Sequence, residues 1–554
     1  MTNLAKQTVP RGRRTVRTVL FWAVGVILVL LVAAFVAGEI VIHRAGPILK
    51  ARVIDTLSTR FDSRVELDGF NVSLVRGLEV SGAGLRLYPR RLDGTDPMFA
   101  VKKFSFFATW KQLFETPMFI DRVFVGGLQI NLPPKGERAN MPHLSSKGGG
   151  HIKIFIGQMI CDDTVLVLGT NKPGKIPLEF DISKLQLASV GAGQPMKFHA
   201  LLVNPKPVGD IDSSGYFGPF DAESPGDTPV SGEYSFSNAD LGTLKGISGT
   251  LSSQGNYRGT LDNIVVDGKT STPDFQLDIA SHPVPLNTTF HAIVDGTNGD
   301  TYLEPVDAWL LHTHIVAKGE VVRGAGGKGH DITLDVSLGP ANIQDILELG
   351  AKSSTPLMTG QMRMHTSFNL PSADESVIAR LKLAGHFAIL NAHFTNDAFQ
   401  SKVDQLSLRG QGKAKQAKQE SEAMKHGDTD AGTEADVAST MRGDFVFGDG
   451  KIALKSLEYD VPGADIDLSG AYTLKGAQFG FQGSAHLNAK VSKMVTGWKS
   501  LMLKPVDPFM SKHNQTDLPI FITGTRTDPH IGVDFHHKDH DEPPGNPAAA
   551  APKM

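Results

Sequence analysis

The chain has 554 residues, 40% hydrophobic and 20% charged, with a formal net charge of -3; it is long enough for a large body, yet carries no basic field that would hold nucleic acid. Its 58 glycines and 32 prolines favour many short elements joined by tight turns over long helices. The single cysteine, Cys161, excludes an intrachain disulfide and a thiolate metal cluster, since both need two sulfurs.

In chain order, residues 1–18 are a basic segment with Lys6, Arg11, Arg13, Arg14 and Arg17 and no acid, followed by the uncharged run Val19–Gly38. Such a run spans a hydrocarbon core of about 30 Å, and the spacing predicts a transmembrane anchor over 19–42. The positive-inside rule keeps the N-terminus in the cytoplasm and exports the rest. A signal-peptide core is shorter, about 7 to 15 residues, which favours an uncleaved anchor. Within 43–64, Ile48, Leu49, Val53, Ile54, Leu57 and Phe61 recur at helical spacing and predict an amphipathic helix.

From Val65 the apolar period drops to two, with turn pairs such as Asp68-Gly69 and Arg76-Gly77 between short runs. Further runs follow at Val123–Leu132, Ile152–Leu168, Gly232–Phe236, Phe275–Ile279, Phe290–Val294 and Ile332–Leu338. The body, 65–535, is thus expected to be mainly β and mostly antiparallel, with strands in hairpin order. GHFAILNAHF from Gly385 and GDFVFGDGKI from Gly443 echo one another, in keeping with a sheet grown strand by strand. Two stretches break the pattern: the flexible linker Ser145–Gly150, and 410–440, whose Lys, Gln, Glu, Asp and Ala composition predicts a mobile loop that can be deleted without loss of the fold. A second amphipathic helix is expected over 490–504, ended by Pro505, and 536–554 as a disordered tail.

The search for reactive groups yields little. Gly324, Gly326 and Gly329 match GxGxxG, but a strand follows where a phosphate-binding helix is required, so a hairpin loop is expected. Walker A, HExxH and GxSxG strings do not occur, and no catalytic residue, metal or cofactor is expected. His312 and His314, two apart on an expected strand, read as a polar sheet face, and His536, His537, Asp539, His540 and Asp541 as part of a solvated tail. What remains is alternating apolar surface. Phe236, Phe290, Leu334, Val336, Phe387, Ile389, Phe445, Phe447, Phe479 and Phe481 are the candidate lining of an apolar face. Alternation alone leaves open a closed sandwich or a trough that takes acyl chains.

The order of parts resembles the AsmA-like family of membrane-anchored envelope proteins, in ARVIDTLSTRFDSRVELDGFNVSLVRGLEVSGAGLRL (Ala51–Leu87) and in the closing strands LPIFITGTRTDPHIGVDF (Leu518–Phe535). The resemblance implies an elongated, curled antiparallel β-groove with an apolar inside, related to TamB-like and chorein-type lipid-transfer bridges. It implies no catalytic residues. The expected partners are membrane phospholipids, the inner membrane and other envelope proteins; the expected location is the inner membrane, with the body in the periplasm. The competing expectation is a non-transporting envelope scaffold or assembly factor with a closed β core.

Overall fold

The computed structural model describes residues 63–73, 78–88, 96–109, 118–132, 154–168, 178–191, 194–219, 224–280, 282–324, 329–350, 356–373, 375–425, 437–475, 478–496, 504, 511–512, 515–525 and 529–533, with scattered positions from 47 to 59. The anchor segment 19–42, the linker 145–150 and the tail 536–554 lie outside the described residues. Among the described residues no helix is long and apolar enough to cross a membrane. The described positions between 47 and 59 are helical: Val53, Ile54 and Leu57 are half-buried, whereas Ala51, Asp55 and Thr59 are exposed. That one-sided burial matches the stripe read from the sequence.

The protein is mainly β and forms two compact units, one of residues 1–205, 209–235 and 259–261, the other of 206–208, 236–258 and 262–554. The first unit carries β1 (Val65–Glu66), β2 (Gly69–Ser73), β3 (Leu78–Leu87), β4 (Phe99–Ala108), β5 (Met118–Leu132), β6 (Ile154–Leu168), β7 (Leu178–Val190) and β8 (Met196–Pro205). Both β1 and β2 pair with β3, and antiparallel pairing continues through β4 to β5. β5 and β6 then run parallel, with Ile120 opposite Ile156 and Val125 opposite Cys161. The sheet is thus mostly antiparallel, as expected, with this one parallel pair among its described pairings; parallel neighbours need a connection of a dozen or more residues, and 21 residues of sequence separate β5 from β6. Antiparallel order resumes through β7 and β8. Ile120, Val123, Val125 and Cys161 form the core, and burial raises the Cys161 thiol to about 11.

Next in the chain come β9 (Val208–Phe217), almost all of it in the first unit, β10 (Pro229–Asp240), which passes from the first unit to the second at 235/236, and β11 (Ile247–Ser248) and most of β12 (Thr250–Thr260) in the second. The second unit continues with β13 (Asn263–Leu277), β14 (Val284–Val294), β15 (Thr301–Leu310), β16 (Thr313–Arg323), β17 (His330–Asn342), β18 (Met358–Leu370), β19 (Lys382–Phe394), β20 (Ser439–Gly448), β21 (Lys451–Val461), β22 (Ala464–Thr473), β23 (Gln478–Leu487), β24 (Ser511–Lys512), β25 (Gln515–Thr525) and β26 (Pro529–Val533). From β13 to β23 each strand pairs antiparallel with the next, then β23 with β25 and β25 with β26. Of the GxGxxG glycines, Gly324 and Gly329 stand at the mouth of the β16–β17 hairpin, where Gly324 N donates to Gly329 O, as the sequence leads one to expect; Gly326 lies outside the described residues.

Helices fill the longer connections: α1 (Ile343–Gly350), α2 (Val377–Arg380), α3 (Asp397–Gly410) and α4 (Ala414–Lys425). The last corrects the reading of 410–440 as loop throughout. Ala414 and Ala417 on α4 are buried, and α4 packs against α3. Helix α3 begins at Asn396, whose side chain accepts from Phe399 N at 3.0 Å. Its buried side is largely polar, and every group finds a partner. Gln400 accepts from Phe394 N and donates to Asp404 and Val437 O; Ser407 donates to Pro462 O at 2.7 Å. Val403 joins Ile389, Ala392, Phe394, Val461, Ala464 and Leu487 in the main core. Over 490–504 the described part is a single 3-10 turn, Val491–Lys493, with Met494 packed in that core, in place of the expected α-helix start; 497–503 lie outside the described residues.

Candidate functional site: an apolar face on the second unit

Following the register across the second unit shows how the apolar residues assemble. One row reads Gly268, Phe290, Val306, Ala317, Val336, Thr366, Gly385, Phe445, Leu454, Gly470, Phe481, Ile522, Ile531, each directly opposite the next. A flanking row from Val266 to Gly524 passes through Leu334, Phe368, Leu383, Phe447 and Phe479. On the other side a row from Thr270 to Val533 passes through Ala308, Leu338, Met364, Phe387 and Leu457. None of the three rows contains a charged residue. With rows two residues apart and strands about 4.8 Å apart, the surface is roughly 14 Å broad and 58 Å long.

Nine of the ten sequence candidates are therefore placed on this ladder, eight in these rows and Ile389 in the next, opposite Met362 and Met441. Phe236 stands half-buried on β10, outside the rows. Phe479 keeps its register position opposite Tyr472, while its side chain lies outside what is described. Burial divides the remainder. Phe290, Leu334, Val336, Phe387, Phe445 and Phe481 are half-buried, whereas Phe447 and Ile389 are only 6% and 5% exposed. Ile389 belongs to the core under α1 and α3, so the groove-lining role read for it from alternation is replaced by packing. Phe447 is likewise too enclosed to offer a free surface.

Large apolar side chains alternate with small ones along the rows. Gly385 faces Phe445 and Phe387 faces Gly443, and the two rings meet with centroids 6.2 Å apart. This pairing explains the echo between the two segments: each is the antiparallel complement of the other. A Cβ on Gly443 would stand 2.4 Å from Ser456 O, and one on Gly385 2.2 Å from His365 O, so the backbones approach too closely there for any side chain. Bulges between Phe290 and Ala292, Leu338 and Ala341, Ile389 and Ala392, and Leu454 and Leu457 bend the strands further.

The opposite face is polar. His291 pairs with Asp267 at 2.6 Å, His314 with Asp307 at 2.8 Å, His365 with Asp335 at 3.3 Å and His486 with Asp517 at 2.7 Å. The hydrogen bond from His291 lowers the Asp267 carboxyl below its usual range. His312, expected on a strand beside His314, instead occupies the two-residue turn between Leu310 and Thr313, and its N donates to Asp345. Ser484 lies 3.2 Å from His486 Nε2 while Nδ1 faces Asp517, the connectivity of a nucleophile, base and carboxylate. Its strand lies between β22 and β25, so the backbone amides serve the ladders and offer no oxyanion donors. Among the described residues no group of three or more His, Cys, Asp or Glu side chains could hold a metal ion.

No known protein family, curated protein or solved structure matches the chain.

Proposed function

We propose that this is an AsmA-like, inner-membrane-anchored protein whose periplasmic body holds phospholipid acyl chains along an apolar trough, aiding lipid transport or outer-membrane biogenesis. The observation that carries this reading is the pairing of charge-free rows with incomplete burial. Phe290, Leu334, Phe387, Phe445, Leu457 and Phe481 share one face and all remain half-buried, whereas a closed sandwich of this size would bury them. Each methylene withdrawn from water on such a surface contributes about 0.8 kcal/mol, and a run of similar positions lets a chain shift without a deep trap. The uncharged run at 19–38 after a basic segment supports the anchor.

The test uses Phe445→Asp with Phe481→Asp in the full-length protein, both from the central row. A charge there disfavours an acyl chain but rehydrates when the trough is empty. The variant should show wild-type circular dichroism and lose most of the lipid that copurifies with the wild type. Unfolded protein, or folded protein with unchanged lipid, rejects the trough. Phe447 is unsuitable for this test, because a carboxylate at a site 6% exposed would act on folding itself.

A further inference from the structure

Resting on that reading, the connection between β18 and β19 adds a moving part. Val377 and Ile378 are chain neighbours in α2, with Cα atoms about 3.8 Å apart. A Cβ on Gly246 would lie 2.9 Å from Val377 Cγ2, and one on Gly450 3.8 Å from Ile378 Cγ2. Gly246 sits beside the end of β13, its carbonyl accepting from Asp278 N, and Gly450 lies in the β20–β21 turn. Six strands, β14 to β19, separate β13 from β20 in the ladder, about 34 Å if flat. One helical turn touches both sides, so the sheet is curled and the connection, described at 371–373 and 375–381, forms a chord between points distant along it.

The chord is well held at its roots. Ser372 N donates to Asp331 at 2.6 Å, Ser376 caps α2, and Arg380 donates to Pro371 O and Glu375 O. Its far contact is different in kind: an apolar side chain against bare backbone, which parts at little cost. We propose that this segment is a gate. Closed, it confines acyl chains to movement along the trough; parted from Gly246, it admits a chain from the side.

The test is a Gly246→Cys, Val377→Cys pair in the full-length protein in nanodiscs. The Cβ of residue 246 would stand 3.2 Å from that of Val377, a few tenths of an ångström inside the roughly 3.5 to 4.5 Å span of a disulfide, and residue 246 holds φ +93, so the pair closes with a small shift of α2. Cys161 is fully buried and stays out of the reaction. The readout is transfer of phosphatidylglycerol bearing one pyrene-labelled acyl chain to acceptor vesicles. Oxidation should slow uptake and release at least tenfold, with dithiothreitol restoring the rate, and Arg380→Ala, which frees the root of the chord, should speed exchange severalfold. Equal rates in the oxidised and reduced pair, or an unchanged rate in Arg380→Ala, overturn the gate. Arg380→Ala decides alone if the cysteine pair does not fold. Wild-type protein that binds no pyrene lipid refutes the function proposed above, and the gate with it.

Discussion

At the scale of residues, the second unit relies on glycine set against aromatic. A ring laid over a cross-strand glycine covers exposed backbone, and the missing Cβ lets the strands bend toward each other. Gly385→Ala should therefore cost about 1 to 3 kcal/mol, because the new methyl meets His365 O and the backbone has to move. Gly480 offers the control, since a Cβ there meets nothing within 4 Å. Thermal unfolding of the two alanine variants should show a clear fall in midpoint for Gly385→Ala and almost none for Gly480→Ala; equal shifts would refute the packing argument. The alternation of Phe with small residues was visible in the sequence as period two. Which glycine faces which phenylalanine was not, because that depends on register between segments far apart in the chain.

At the scale of elements, α3 and α4 were the least legible. The face α3 buries sets Gln400, Ser401, Asp404 and Ser407 beside Val403 and Leu408, so polar residues interrupt any apolar stripe that would announce it. Its stability comes from hydrogen bonds to the β19–β20 and β21–β22 connections, which sequence period does not register. Deleting 411–440 is accordingly expected to lower the melting midpoint, where composition alone suggested none would be lost. Burial, aided by the nearby Asp404 carboxylate, raises the Glu420 acid above its ordinary value. The sign follows from linkage: a raised acid contributes stability present in full below the unfolded value and lost as pH rises through the folded one. At neutral pH the charge on Glu420 opposes the docking of α4, so Glu420→Gln should raise the melting midpoint there. The difference should vanish below the ordinary glutamate value, and a Gln variant less stable at neutral pH would contradict the assignment.

At the scale of the whole molecule, the β class and most strand positions followed from composition and alternation, because a half-buried strand must alternate. The parallel β5–β6 pair escaped, since nothing in either strand's pattern distinguishes a parallel neighbour from an antiparallel one; only the long connection 133–153 hints at it. The anchor carries a prediction of its own. A reporter active only outside the cytoplasm, fused after Met554, should be active, because the only long apolar run follows a basic segment. Activity from a cytoplasm-only reporter at the same position would reverse the orientation and remove the trough from the space it is proposed to serve.

The reciprocal glycine–phenylalanine pairing has a bearing on how the sheet is assembled. Most neighbours in the second unit are joined by a few residues and can zip as soon as they are made, but β19 and β20 must meet across α3 and α4, from Phe394 to Ser439. Closing a loop of that length rather than a two-residue turn costs roughly 3 kcal/mol more in chain entropy, paid before any ladder bond forms. It is also the pairing most open to error. A slip of β20 by one residue would turn Asp444 toward the apolar side, and a slip by two would in one direction set Phe387 against Phe445 and in the other leave Gly385 facing Gly443. Gly385 with Phe445, and Phe387 with Gly443, make the native alignment the one in which both crossings fit, so the two segments act as a lock on the slowest closure of the ladder.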